Sequence, residues 1–184
     1  MQRQAGAKNT ILINRAPVLT LWAAVVAERL GFDWDESMTL GRAVAGLNAY
    51  SKGVSIGLFQ PKPKQLRERK AALQQGETIQ VGLLHRAVPC RRTPDGLRAS
   101  SKGRPISPES VQRYLESKFG DSLAASLAAM RKLAGAFQPG DLADRAYELY
   151  EAFRPEIPGG KRGWGAAGVL DLKKLEALAR LPLA

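Results

Sequence analysis

Hydrophobic positions recur at three- and four-residue intervals over most of this chain, the spacing that places them on one face of a helix. Leu19, Trp22, Ala23, Val26, Ala27 and Leu30 share such a face. Pro17 suits the first turn of that helix and Gly31 the position just past its end, so the pattern predicts a helix over 19–30. The link over 31–36 offers Asp33 or Asp35 as N-cap residues. A second helix is expected over 36–51, with Met38, Leu40, Ala43, Val44, Leu47 and Tyr50 as its apolar positions. Gly41, Ala45 and Gly46 are small enough to let another helix approach closely, and Gly53 is expected to end it.

Beyond this pair the pattern changes twice. Pro61 and Pro63 precede a short helical stretch over 64–75 that Gly76 terminates. From Thr78 the apolar residues alternate: Ile79, Val81 and Leu83, then Leu84, Ala87 and Val88 form short β-prone runs. Thr93-Pro94-Asp95-Gly96 is a turn signal, with proline at i+1 and glycine at i+3. One small β-hairpin is expected there, with Arg91 and Arg92 on one arm and Arg98 on the other. The remainder reads as helical. Ser107-Pro108-Glu109 supplies a cap, a first-turn proline and an acid, and that helix should end near Phe119-Gly120. Asp121 is the expected cap of a helix over 122–136. Pro139-Gly140-Asp141 starts another over 142–153, and Pro155 and Pro158 open a glycine-rich loop over 159–168. A last short helix is expected over 171–180.

At 184 residues and 45% hydrophobic composition, the chain can build one core. No apolar run approaches the ~20 residues of a membrane span. Residues 17–26 are apolar but are followed by Glu28 and Arg29, and the start of the chain lacks a signal-peptide pattern; a cytoplasmic location is expected. The single cysteine, Cys90, excludes an internal disulfide and a multi-cysteine zinc site, and the single histidine, His85, excludes histidine clusters. Charge changes the picture most. Of the net +11, residues 52–104 carry +9, from twelve Lys and Arg against three acids. A balanced chain with one such block points to a polyanionic partner, of which nucleic acid is the commonest.

Several motifs bear on that partner. The string over 24–31, followed by a polar link and a second amphipathic helix, resembles the start of a helix-turn-helix, whose second helix reads base edges in the major groove. The link is longer than in that motif, and Ser37 stands where a buried aliphatic residue is usual. The longer link looks more like the helix-two-turns-helix element of a ribosomal small-subunit protein and of DNA-repair glycosylases. The exposed face of the second helix would then carry Arg42, Asn48, Ser51 and Lys52. The plainer reading is an ordinary core helix pair. The basic hairpin resembles the wing of a winged helix, with Arg91, Arg92, Arg98, Lys102 and Arg104 on phosphates or in a minor groove. Its plainer reading is an edge hairpin charged against aggregation.

The literal G-x-G-x-x-G at 163–168 is no dinucleotide site, because no strand precedes it and too little chain follows. Lys161, Arg162 and Trp164 could meet a phosphate or a base there; Trp164 plugging the core is the simpler reading. His85 and Cys90 lie five residues apart on one expected strand, point to opposite faces, and make no catalytic pair. Asp33, Asp35 and Glu36 could hold Mg²⁺, but helix capping accounts for them more simply. Tyr114, Phe119, Tyr147, Tyr150 and Phe153 recur at helical spacing as core residues. The stretches 17–53, 107–120 and 162–168 together resemble a bacterial family of uncharacterised conserved proteins, which implies a cytoplasmic helical protein and no particular activity.

The expected fold is therefore mainly α: a multi-helix bundle with a helix-turn-helix-like or helix-two-turns-helix element and one small β-hairpin. A single domain spans 1–184, comprising a loose tail over 1–10, the helix pair over 17–53, a basic segment with the hairpin over 54–106 and a helical unit over 107–184. The expected function is non-enzymatic DNA binding, as in a transcriptional regulator, with the basic segment docked on the phosphate backbone. RNA or ribosome association, and a scaffold for an acidic protein, are the alternatives. The nucleic-acid contacts expected are Arg42, Asn48, Lys52, Lys62, Lys64, Arg67, Arg91, Arg92, Arg98, Lys102, Arg104, Lys161 and Arg162. DNA is favoured over RNA, a homodimer would match two half-sites, and no catalytic residue, metal, cofactor or membrane is called for.

Overall fold

Between Pro17 and Ala27 the one polar residue is Thr20, so a helix built from this run has no face to give to water. In the computed structural model, which describes residues 9–55, 78–157 and 166–181, the run forms the middle of helix α1 (Arg15–Arg29), and every residue from Pro17 to Ala27 is buried. The Thr20 hydroxyl is satisfied inside the helix, donating to the Ala16 carbonyl at 2.9 Å. Helix α2 (Trp34–Ser55) lies along α1. Helices α3 (Pro108–Phe119), α4 (Leu123–Gly135) and α5 (Pro139–Phe153) pack on its other sides. Trp22 anchors α5: its indole N–H donates to the Ala146 carbonyl at 2.8 Å, and its ring meets Phe153 edge-on at 5.2 Å.

Local chemistry sets most helix ends. Gly31 takes φ +115° just past α1, a value glycine adopts without strain. Asp33 and Glu36 form a reciprocal capping box at the start of α2: Asp33 Oδ1 accepts the Glu36 N–H at 2.8 Å, and Glu36 Oε1 accepts the Asp33 N–H at 3.2 Å. Ser107 caps α3 by accepting the Ser110 N–H at 3.3 Å, with Pro108 behind it. Asp171 caps helix α6 (Leu172–Arg180) by accepting the Lys173 N–H at 3.0 Å. Two expectations fail here. Asp121 caps nothing, because a short 3₁₀ turn (Gly120–Ser122) joins α3 to α4. Helix α2 runs through Gly53 to Ser55; a glycine costs a helix only ~1 kcal/mol and need not stop it. The helix expected over 64–75 lies outside the described residues.

The mainly-α expectation is overturned: the fold is mixed α/β. Strands β2 (Thr78–Leu83), β3 (Arg86–Thr93), β4 (Gly96–Ser101) and β5 (Arg104–Pro105) form an antiparallel four-stranded sheet in that order. The expected hairpin is its β3–β4 unit, closed at the Thr93↔Gly96 pair, where the Thr93 hydroxyl donates to the Gly96 carbonyl at 2.7 Å. The β2–β3 turn has φ +48° at Leu84 and +60° at His85. Those are values for Asn-Gly, so the sequence carried no turn signal there. A second sheet pairs β1 (Thr10–Ile13) with β6 (Gly168–Asp171), Thr10 opposite Asp171 and Ile13 opposite Gly168. Thr10, expected in a loose tail, thus begins a strand, and the end of the expected glycine-rich loop forms its partner.

The four-stranded sheet packs on α2. Val88, Cys90 and Ala99 are fully buried. Strand β5 has two residues, so it leaves most of the β4 edge without a strand neighbour. Side chains of α2 cover that edge: the Leu97 N–H donates to Glu36 Oε2 at 2.8 Å, and the Ala99 N–H donates to Thr39 Oγ1 at 3.0 Å. One carboxylate thus caps its own helix and seals a strand edge that would otherwise invite pairing.

Candidate nucleic-acid interface

Cross-strand register decides what each basic residue of the sheet can do. Arg91 on β3 stands directly opposite Arg98 on β4, and Arg92 stands opposite Leu97. Arg104 stands opposite Ser101, with Lys102 and Gly103 forming the β4–β5 turn between them at φ +52° and +77°. Arg92, Lys102 and Arg104 are exposed, and Arg91 is half-buried. Among the described residues no carboxylate pairs with any of these four; the ion pairs there are Arg131–Glu28, at 2.9 Å, and Lys174–Glu156.

Arg98 departs from the expected phosphate contact. Like charges directly opposite each other repel, and the Arg98 guanidinium turns back on its own hairpin. It donates to the Leu97 carbonyl at 2.9 Å and the Asp95 carbonyl at 3.3 Å, leaving the residue 8% exposed. It braces the turn and is not free for a ligand.

The α2 residues are likewise used within the fold. Arg42 lies over the Tyr114 ring of α3, 4.4 Å from its centroid. Burial pushes the Tyr114 hydroxyl pKa up, against the opposing pull of Arg42. Asn48 is 6% exposed. Its Oδ1 accepts from Arg86 Nη2 at 3.1 Å and from the Tyr147 hydroxyl at 3.4 Å. The amide that would read a base edge instead ties β3 to α2 and α5. Ser37, unusual for a helix-turn-helix, is fully buried. The α1–α2 pair is the centre of the core, and α2 is packed against α1, α3 and the sheet. Lys52 falls in the last turns of α2. Lys62, Lys64, Arg67, Lys161 and Arg162, with Trp164, lie outside the described residues.

The remaining candidates are structural as well. His85 is not on a strand with Cys90 but exposed in the β2–β3 turn. Cys90 is fully buried, its thiol 3.4 Å from the Val88 carbonyl, and burial pushes its pKa up to about 11. Such a thiol stays protonated at neutral pH and is no nucleophile. Asp33 and Glu36 are occupied by capping. A wide-open cleft of about 380 Å³ lies between the β2–β3 turn and α5, lined by Leu30, His85, Arg86 and Asp144 among others. Arg86 and Tyr147 were not singled out as an interacting pair from the sequence; their meeting at Asn48 joins residues 38 and 99 positions away and has no local signature. No family model, curated protein or solved structure matches the chain.

Proposed function

We propose that this chain is a non-enzymatic DNA-binding protein that docks its basic four-stranded sheet on the phosphate backbone. The observation that carries the reading is the set Arg91, Arg92, Lys102 and Arg104. These four cations are exposed or half-buried on the strands and turns of one sheet, Arg91 and Arg92 on its opposite faces, and none has a carboxylate partner among the described residues. Unneutralised cations on a rigid sheet gain most from a ligand of dense negative charge, through release of its condensed counterions. Arg42 and Asn48 are engaged inside the fold, so neither is offered as a base reader, and affinity rests on backbone contacts.

Four phosphate contacts imply a log-affinity slope against log salt of about −3.6 on duplex DNA, a loss of roughly 10²-fold between 50 and 200 mM. The test is a salt-titrated binding assay on random duplex DNA with the wild type and the combined variant R91A/R92A/K102A/R104A. The variant should keep its helical circular dichroism and lose most of that slope. An affinity that ignores salt in the wild type, or an unchanged slope in the folded variant, would refute the reading.

A further inference from the structure

Resting on the nucleic-acid reading, we infer that Lys102, at the tip of the β4–β5 turn, is a phosphate contact that the fold holds under backbone strain, so that binding and stability oppose each other at this residue. Among the described residues, three other than glycine have positive φ: Leu84, His85 and Lys102. That conformation crowds Cβ against the following carbonyl and is uncommon outside Gly, Asn and Asp. Leu84 and His85 share one turn, and packing accounts for it, since Leu84 is 2% exposed. Lys102 has no such anchor: residues 101–105 are exposed without a break. The turn does not call for a lysine either. Its central residues, Lys102 and Gly103, take φ +52° and +77° and are closed by the Ser101↔Arg104 pair. Positive φ at both central positions is the pattern for which Asn-Gly is the low-strain sequence. Gly103 fits that pattern, and Lys102 stands where Asn or Gly would sit more easily.

Backbone strain of this kind gathers at sites that meet a ligand, and the chemistry of the tip says which. Asn or Gly would relieve the strain but carry no charge, so charge is what the lysine adds. A lysine serving solubility alone could occupy Ser101, which is exposed on the strand and free of that strain. Lys102 is separated from Arg104 by Gly103 alone; both are exposed, and neither has a carboxylate partner among the described residues. Arg91 and Arg92 are neighbours on β3 and point to opposite faces, so a ligand lying on one face meets one of them. A turn tip is not confined to a face. The lysine ammonium is a compact charge with three rotatable donors on a flexible stem, which suits a phosphate oxygen met without a fixed register.

The experiment compares the full chain with Lys102→Gly, Lys102→Asn, Lys102→Arg and Arg104→Ala, by thermal unfolding and by salt-titrated binding to random duplex DNA. Lys102→Gly and Lys102→Asn should raise Tm by about 2 °C, because the strain is relieved. The same two variants should lower the salt slope by about 0.9, the share of one phosphate contact, and weaken binding about fivefold near physiological salt. Lys102→Arg keeps both the charge and the strain, and should match the wild type in Tm and in slope. A Tm that falls or stays the same in both neutral variants would overturn the inference, since the lysine would then cost the turn nothing. A slope that drops in Lys102→Arg as well would assign the effect to the shape of the turn and overturn it too. An unchanged slope in the neutral variants, with a reduced one in Arg104→Ala, would overturn the role of Lys102 and leave the backbone-docking reading in place. A wild type that does not bind duplex DNA in a salt-dependent way would remove that reading, and the inference with it.

Discussion

Replacing Gly41 by alanine should force the two central helices apart. A Cβ at this position would lie 2.2 Å from the Thr20 carbonyl oxygen, 2.9 Å from the Ala24 amide nitrogen and 3.1 Å from the Ala24 Cβ. All three belong to α1, and the two shortest contacts are to its backbone, so no side chain can swing aside. Restoring an ordinary contact requires a shift of about 1 Å, and a radial gap of ~0.5–1 Å forfeits a quarter to a half of the dispersion attraction across a packed surface. Overpacking of this kind costs about 3 kcal/mol, the upper part of its usual range. The better helix propensity of alanine returns about 1 kcal/mol. The net loss is about 2 kcal/mol, or about 4–8 °C in Tm for a chain of this size. Gly46 is the internal control: it lies on the same helix, is exposed, and has nothing within 4 Å of an added Cβ. Gly46→Ala should gain up to about 1 kcal/mol from propensity alone. Urea and thermal unfolding followed by circular dichroism would measure both. If Gly41→Ala matches the wild type in stability, or the two variants shift in the same direction, close α1–α2 packing is not what holds this core.

Asn48→Ala should act on stability and not on recognition. It leaves Arg86 Nη2 and the Tyr147 hydroxyl without their acceptor, at a cost of about 1–3 kcal/mol, which chemical denaturation would detect; a fully stable variant with altered DNA affinity would contradict the assignment. Cys90 predicts a pH dependence. Burial holds its thiol up to about 11, whereas an unfolded thiol ionises near ~8.5. Between those values the unfolded chain binds fewer protons than the folded one, so the contribution present below the unfolded pKa is lost as pH rises through that window. The stability of the wild type relative to Cys90→Ala should therefore be greater at pH ~7.5 than at pH ~10.5, measured by urea unfolding at each; a difference that does not change with pH would show that the thiol is not desolvated.

What could be read from the sequence follows the range of the interactions. The Asp33 cap, the Ser107-Pro108 start and the Thr93–Gly96 turn each depend on residues within four positions of one another, and each was legible; the Asp171 cap is as local, but Asp171 reads from the sequence as the first residue of its helix. The β1–β6 pair joins four-residue strands from opposite parts of the chain. A run as short as Thr10–Ile13 has no period that separates strand from helix. The β2–β3 turn was hidden for another reason: Leu84 is held at positive φ while 2% exposed, so core packing imposes a backbone conformation that its residue type disfavours. Once that turn was missed, Ile79, Val81 and Leu83 had no partner strand, and the sheet shrank to one hairpin.

The site divides in the same way. The concentration of charge in residues 52–104 is a property of composition and needs no fold; which cations remain for a ligand depends entirely on the fold. Arg42 is taken by an aromatic ring, Arg86 by a buried amide and Arg98 by the carbonyls of its own turn. Each is an arginine like Arg91, Arg92 and Arg104, so a mutational series chosen by residue type alone would mix two kinds of effect. Arg98→Ala removes hydrogen bonds that brace the β3–β4 turn and would report on hairpin stability, while Arg104→Ala removes an exposed charge and would report on a ligand. Only residues of the second kind can change the salt slope without changing the fold, and that is why the test of binding rests on those four cations and not on the net charge of the segment.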